Sequence, residues 1–532
     1  MNLVKKFAYT SMALMLALGL SACGNNEKPA EEKNETETTE TAETEEKTEE
    51  ETAEETAEET EDKKDEKAKD KEDGDIPTLT YLDIGTPQAG TEETVEKINE
   101  YLDEQEAGYH LNLVFYDWGD YEQRLQLASS TGEDWDLAFT ASWAGPYKTL
   151  VSQNALMDLT DLMEGKEFVD LINPDMLKGV SMDGKVYGIP AAYPGVVAAN
   201  QFVWTKKYVD QYDIDYKNVT NITELEPIFE EIKEKEGMQY PFGVSKDFLF
   251  AMPEPEYVVT DGVAVKEEDG KLVAYNRYDS ELFKEQIMKM KDYMDKGYIS
   301  PSAPQVEPGT VMPEDEVLIT EGEGEPGSAA IWSVAPRNEV VSNIVGDKVV
   351  VSNDKAQGKM VSINSQSENP ELAMDFINRM FTDQKLQDML CYGIEGKNFE
   401  YKDGKVVKHN AESDGVENDY DVPAFTFLSA LNRTPLDGAP GIGDEEFDKE
   451  AAEFEGKLIA SPVLGFTLDE SNIATEIANI QQSVNEYTIN LKTGAFDESY
   501  YDEFLEKLNT AGIEKVIEEV QAQLDKWQEA NK

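Results

Sequence analysis

The chain is 532 residues long, room for two or three domains with a well-buried core, and 111 acidic against 47 basic residues give it a formal net charge of −64. That charge excludes electrostatic capture of nucleic acid and argues against a polybasic membrane patch. Two histidines and two cysteines exclude a disulfide framework and leave little material for a Ser-His-Asp or Cys-His mechanism, while so many carboxylates make any Asp/Glu pair uninformative as a catalytic signature.

Lys5 and Lys6 precede an apolar run from Phe7 to Leu20, the layout of a secretory signal and too short for a comfortable membrane span. Leu20-Ser21-Ala22-Cys23-Gly24 resembles the bacterial lipobox, whose cysteine receives a diacylglycerol and becomes the mature N-terminus. Residues 1–23 therefore read as a lipoprotein signal peptide ending at a lipidated Cys23. The product is expected at the outer face of the cytoplasmic membrane of a Gram-positive bacterium, attached only through that lipid. Residues 24–75 are rich in Glu, Thr, Ala and Lys, with no aromatic and no branched aliphatic side chain, so they read as a disordered acidic tether. Fully stretched, it would reach roughly 170 to 190 Å, enough to carry a folded domain through a cell wall.

The folded part opens with a strand at Leu79–Gly85 and a helix from Glu92 that places Val95, Ile98, Tyr101 and Leu102 on one face. A second strand, Leu111–Tyr116, ends in Asp117-Trp118-Gly119, and a second helix runs from about Tyr121 to Ser129. Trp135–Thr140 is a buried third strand that leaves through Ala141-Ser142-Trp143-Ala144-Gly145-Pro146. The β-α-β-α-β order with short connections predicts a parallel sheet, because such crossovers need a helix. Its carboxyl edge then collects Asp83, Trp118, Thr140, Ser142 and Trp143, and open α/β sheets bind ligands at that edge. Hydroxyls and carboxylates beside flat rings are what a sugar-like ligand needs. Asp183-Gly184 reads as a hairpin turn leading into an extended segment through Ile189-Pro190. Pro301–Pro326 reads as a surface loop, and Phe504, Leu508, Val516, Val520, Leu524 and Trp527 as two terminal helices broken at Thr510-Ala511-Gly512. Asp213-Ile-Asp215 and Glu267-Glu-Asp-Gly270 do not continue into a twelve-residue calcium loop, so no metal site is expected.

Asp136-Leu-Ala-Phe-Thr140, Gly184-Lys-Val-Tyr-Gly-Ile-Pro190, Ile331-Trp-Ser333, Ser367–Phe376 and Tyr392-Gly-Ile-Glu-Gly-Lys397 together resemble the family 1 extracellular solute-binding proteins of bacterial ABC importers. The end of the chain, from Gly465 to Val516, is similar to an uncharacterised C-terminal domain of one lipoprotein branch of that family. The resemblance implies a two-lobed α/β fold of the type II periplasmic-binding-protein kind, closing on its ligand by a hinge. On that reading residues 76–190, with part of 337–400, form the first lobe. Residues 191–336 form the second, and 401–532 the rest of the second lobe plus a C-terminal helical domain. The chain crosses at Gly188–Pro194 and returns near Trp332–Pro336.

The same resemblance implies a monomeric binder with no cofactor that delivers an intact sugar, an oligosaccharide above all, to ABC permease subunits. The expected ligand contacts are Trp143, Ser142, Trp118, Asp83, Tyr193, Trp332, Tyr392 and Glu395, with rings on the apolar faces of the sugar and polar groups on its hydroxyls. The alternative reading is a surface glycoside hydrolase or other carbohydrate-active lipoprotein. It needs two carboxylates about 5 to 10 Å apart across a sugar, for which Asp83 and Glu395 are the pair to consider.

Overall fold

The computed structural model describes residues 76–192, 197–307, 317–333, 339–411, 414–428, 433–438 and 441–531. The signal, Cys23, the acidic tether and Tyr193 lie outside these residues.

The first lobe is built on the expected alternation. β1 (Thr78–Ile84), α1 (Thr91–Glu104), β2 (His110–Tyr116), α2 (Tyr121–Thr131) and β3 (Leu137–Thr140) follow one another, and β1 pairs in parallel with both β2 and β3. Leu79, Tyr81, Leu82 and Ile84 of β1 are all buried, as strands covered by helices on both faces require. α2 stops at Gly132, whose φ of 71° is the left-handed cap that ends helices. After α3 (Tyr147–Ser152) and α4 (Pro174–Val180), strands β4 (Ser181–Met182) and β5 (Lys185–Val186) form a hairpin. Its turn residues Asp183 and Gly184 both have positive φ, so the Asp-Gly signal was read correctly. β6 (Ile189–Pro190) ends this first pass.

The second lobe takes its main sheet from distant segments. β7 (Ala199–Thr205) leads to α5 (Lys206–Tyr212) and α6 (Glu226–Glu236), and then to a meander of β8 (Tyr257–Thr260), β9 (Val263–Glu268) and β10 (Lys271–Asn276). After α7 (Glu281–Asp295), strand β11 (Ile319–Gly324) pairs antiparallel with one side of β7; α8 (Ser328–Trp332) follows, and β12 (Val340–Ile344) takes the other side. The expected surface loop at Pro301–Pro326 thus contains a strand. Its Glu-Gly-Glu-Gly sequence carries no strand pattern, and pairing to β7 with Leu318 and Ile319 fully buried overrides local propensity. Because β12 still belongs to this sheet, the chain returns after Ile344 rather than near Trp332–Pro336.

On its return the chain forms β13 (Val349–Val351) and α9 (Asn353–Ala356), and β14 (Met360–Ile363) inserts antiparallel between β3 and β6, completing the order β2-β1-β3-β14-β6. α10 (Pro370–Thr382), α11 (Gln384–Tyr392), the hairpin of β15 (Phe399–Lys402) and β16 (Lys405–Lys408), and α12 (Glu445–Glu455) follow. Phe399, Val406, Tyr420, Val422 and Phe427 all enter the first core, so the segment after residue 400 does not begin as second lobe. β17 (Leu458–Ala460) pairs in parallel with β13, and only from Val463 does the chain join the second core.

α13 (Ala474–Thr493), α14 (Glu498–Ala511) and α15 (Ile513–Ala530) then complete that second core with Ile480, Tyr487, Leu491, Phe504, Leu508, Val516, Val520 and Leu524. The break falls at Gly512 (φ 100°), within the expected tripeptide. Gln521 of α15 meets β10 side on: its Oε1 accepts from Ala274 N at 2.9 Å and its Nε2 donates to Leu272 O at 3.0 Å. Two separate cores therefore meet at three crossings, near Val197–Phe202, Ile344–Val345 and Val463–Phe466, the arrangement of a hinge.

Candidate functional site

Two strand ends of the first lobe carry an aromatic shelf. Trp118 follows β2 and Trp143 follows β3; their rings are stacked, with centroids 6.4 Å apart and planes 18° from parallel. Phe425, from a short 3-10 turn at Ala424–Phe427, closes the group at 6.2 Å from Trp118 and 6.3 Å from Trp143. Trp143 is 50% exposed, an unusual state for an indole that is also held by its edge: Nε1 donates to Gly358 O at 2.7 Å. Ser142 N donates to Gln357 O at 2.8 Å and Ser142 Oγ to Asp354 O at 3.3 Å. α9 and the loop between it and β14 thus brace the shelf, fixing ring orientation before any ligand arrives.

Asp83 does not line this surface. It is fully buried behind the shelf, where Oδ2 accepts from Thr426 Oγ1 at 2.7 Å and Oδ1 from Ile84 N at 2.8 Å. Burial pushes its carboxyl up to about 7 against the downward pull of those hydrogen bonds. Tyr81 OH donates to Thr426 O at 3.1 Å, so β1 ties down the turn that presents Phe425. Sequence reasoning placed Asp83 at the edge because the strand ends there, but its side chain points into the sheet's cover.

Tyr392 is likewise a core residue, 1% exposed, with its hydroxyl donating to Thr434 O at 2.8 Å. The motif that follows is a structural turn: Gly393 takes φ 88°, and Asn398 Oδ1 accepts from Ile394 N at 3.0 Å. Lys397 reaches Glu93 and Asp419 rather than Glu395. Glu395 is exposed on this turn, and no described contact joins it to the shelf. Asp83 and Glu395 therefore do not face each other as a catalytic pair. Phe425 went unnoticed because Pro423-Ala-Phe-Thr-Phe427 has no helical or alternating pattern around it; the proline and two aromatics were the only available signal.

Across the cleft, the second lobe presents the corner between β11 and α8. Gly322 and Gly324 leave room for the Trp332 indole: a Cβ at Gly324 would lie 2.6 Å from Trp332 Cη2. Trp332 is half-buried on that glycine seat. Ser328 Oγ accepts from Glu325 N at 2.9 Å, and Glu325 Oε1 receives Lys359 Nζ at 2.7 Å from the first lobe. Lys359 also sits 5.9 Å from the Phe425 ring centroid, so one lysine touches both walls. Arg124, further along the edge, lies over Tyr116 at 5.8 Å. Among the described residues no group of three or more His, Cys, Asp or Glu is placed to hold a metal ion.

Two lobes with separate cores, three hinge crossings and a braced aromatic shelf facing the opposite lobe define a class: proteins that close around a small solute. The chain belongs to the bacterial extracellular solute-binding proteins, whose family profile matches residues 95–393, and residues 462–529 match a domain of unknown function. It is 27% identical over 536 residues to a carbohydrate ABC transporter substrate-binding protein of Streptococcus pneumoniae, covering 98% of each chain. It is 21% identical over 388 residues to a polygalacturonan/rhamnogalacturonan-binding protein of Bacillus subtilis, covering 68% of this chain and 74% of that one. Among solved structures, the N-glycan transport solute binding protein of Streptococcus pneumoniae superposes with a TM-score of 0.70 at 25% identity, covering 86% of this chain and all of that one. The same protein in complex with Man5GlcNAc gives a TM-score of 0.60 at 26% identity, covering 86% and 99%.

Proposed function

We propose that this protein captures an oligosaccharide in the cleft between its lobes and delivers it unchanged to an ABC importer. The observation that carries this reading is the stacked pair of partly buried Trp118 and half-exposed Trp143. A flat apolar platform with its polar edge already satisfied suits the face of a pyranose ring and offers nothing that would react with it. Ser142 and the β11–α8 corner with Trp332 supply hydroxyl and ring contacts from the two walls. The carbohydrate-transport relatives and the glycan-bound neighbour support the ligand class. A non-catalytic role fits the local carboxylates: Asp83 is enclosed, and Glu325 is tied to Lys359. The lipobox-like Leu20–Gly24 supports attachment through Cys23 outside the cell, where a monomer on a long tether can reach permease subunits.

The test is a thermal-shift and calorimetry screen of the purified protein against mono- and oligosaccharides. A ligand at 100 times its dissociation constant adds about 2.7 kcal/mol of stability. The expected result is a shift with one oligosaccharide class, recovery of that sugar uncleaved, and a loss of about 30-fold or more in affinity for Trp143→Ala, corresponding to about 2 kcal/mol for an aromatic anchor. Cleaved product would overturn the binder in favour of a glycoside hydrolase.

A further inference from the structure

The brace beneath the shelf carries two lysines, Lys355 and Lys359, four residues apart at and beyond the end of α9. Both leave their own lobe. Lys355 Nζ pairs with Glu323, and Lys359 Nζ with Glu325 at 2.7 Å. The two carboxylates are two residues apart, Glu323 in β11 and Glu325 just past its end. Lys355 lies in α9 and Lys359 in the loop that follows it. The result is two neighbouring ion pairs, the rungs, that join the lobes. Each of the four side chains stays about a third exposed: 32%, 33%, 37% and 31% for Lys355, Glu323, Lys359 and Glu325. Each pair is therefore partly open to solvent, while burial pushes the Lys355 ammonium down to about 8.

Their position relative to the shelf is fixed by the backbone that carries them. Asp354 and Gly358, each immediately before one of the lysines, accept from Ser142 Oγ and Trp143 Nε1. Lys359 lies over Phe425. These are the basic groups that the contacts place at the shelf itself, and each already has a carboxylate from the facing lobe.

We propose that Glu323 and Glu325 set the charge selectivity of the cleft: by occupying Lys355 and Lys359 they leave the shelf electrically neutral, so that it accepts uncharged oligosaccharides and rejects those bearing carboxylates. A uronic or sialic acid entering here meets two fixed carboxylates. To reach either lysine it must displace an existing partner, and a like charge brought close to an exposed carboxylate is repelled. A neutral sugar carries no charge for the carboxylates to repel and need not displace either partner. This inference rests on the oligosaccharide reading above and narrows it to the uncharged class.

The test compares wild type, Glu323→Gln/Glu325→Gln and Lys355→Ala/Lys359→Ala against matched neutral and acidic oligosaccharides. The probes are a neutral biantennary N-glycan with its disialylated form, and a galactan oligomer with a galacturonan oligomer of equal length. Circular dichroism and the melting temperature check that each variant is folded. The expected result is wild-type binding confined to neutral members. The double Gln variant should gain at least tenfold for acidic members while its neutral affinity changes less than threefold. The double Ala variant should still reject acids, because the carboxylates remain. Equal or tighter wild-type binding of an acidic member overturns the inference, as does a double Gln variant that still rejects acids. If the two double variants shift neutral and acidic members alike, the rungs control lobe closure and not charge, which also overturns it. Failure of the wild type to bind any member refutes the sugar reading itself, and this inference with it.

Discussion

The two lobes reach similar ends by different routes. In the first lobe, β1, β2 and β3 follow one another through α1 and α2, and each local pattern agrees with the sheet it enters. In the second, β7 pairs with β11 and β12, more than a hundred residues downstream, and the core closes only when α13 to α15 arrive from the end of the chain. The leading strands of the first lobe are locally encoded, whereas the second lobe is a long-range assembly whose core includes the C-terminal helices.

The largest effect that tests this difference is expected at Phe504, which is fully buried between Tyr278 at 5.2 Å and Tyr487 at 5.4 Å. Phe504→Ala should cost about 3 to 5 kcal/mol. In urea unfolding followed by probes in each lobe, the second-lobe transition should move to lower denaturant while the first stays in place. Equal movement of both transitions would show that the lobes unfold as one unit, and the contrast would then be one of sequence only.

Next comes the buried carboxylate behind the shelf. The Asp83 carboxyl is held at about 7 in the fold against an ordinary value of 3.8, so between those pH values the folded protein keeps a proton that the unfolded chain has lost. Stability contributed by this site therefore falls as pH rises through that window, by up to about 4 kcal/mol on full ionisation. Asp83→Asn should remove that slope, raising the melting temperature at pH 7.5 and leaving it nearly unchanged at pH 4. In the second lobe, burial pushes Glu321 up to about 8. Glu321→Gln should act in the same direction, and a probe in each lobe would separate the two contributions. No change in the pH slope of either variant would place these carboxylates in contact with water.

The smallest effect separates core from cleft. Tyr392→Phe loses one buried hydrogen bond, to Thr434 O, and should cost about 1 kcal/mol of stability. Its oligosaccharide affinity should stay within twofold of wild type in calorimetry. A tenfold loss would extend the cleft to Tyr392.

How far the sequence could be read follows from the same contrast. β1 to β3, the Asp183-Gly184 turn and the break at Gly512 were legible because short-range physics decides them: side-chain period, crossover handedness, and backbone angles that few residues accept. The position of Trp118 and Trp143 at strand ends was legible for the same reason, since each follows a recognisable strand. Asp83 and Tyr392 were misplaced because a position in the chain says where a residue sits and not which way its side chain points. Asp83 turns inward to Thr426, more than three hundred residues away in sequence. β11 was read as a loop because Glu321-Gly-Glu-Gly324 has no apolar face, and only pairing with β7 makes it a strand. Phe425 and the two cross-lobe lysine pairs are equally products of long-range contact.

The contact of Gln521 with β10 has a consequence beyond holding a helix in place. β10 is the last strand of its sheet, and a bare outer strand is a template on which a second molecule can add its own. Here one side-chain amide imitates a peptide group, accepting from Ala274 and donating to Leu272, while Gln528 Oε1 accepts from Leu272 N at 3.4 Å. The glutamines stand where the next strand would begin, so the C-terminal helix also closes that edge to a second molecule.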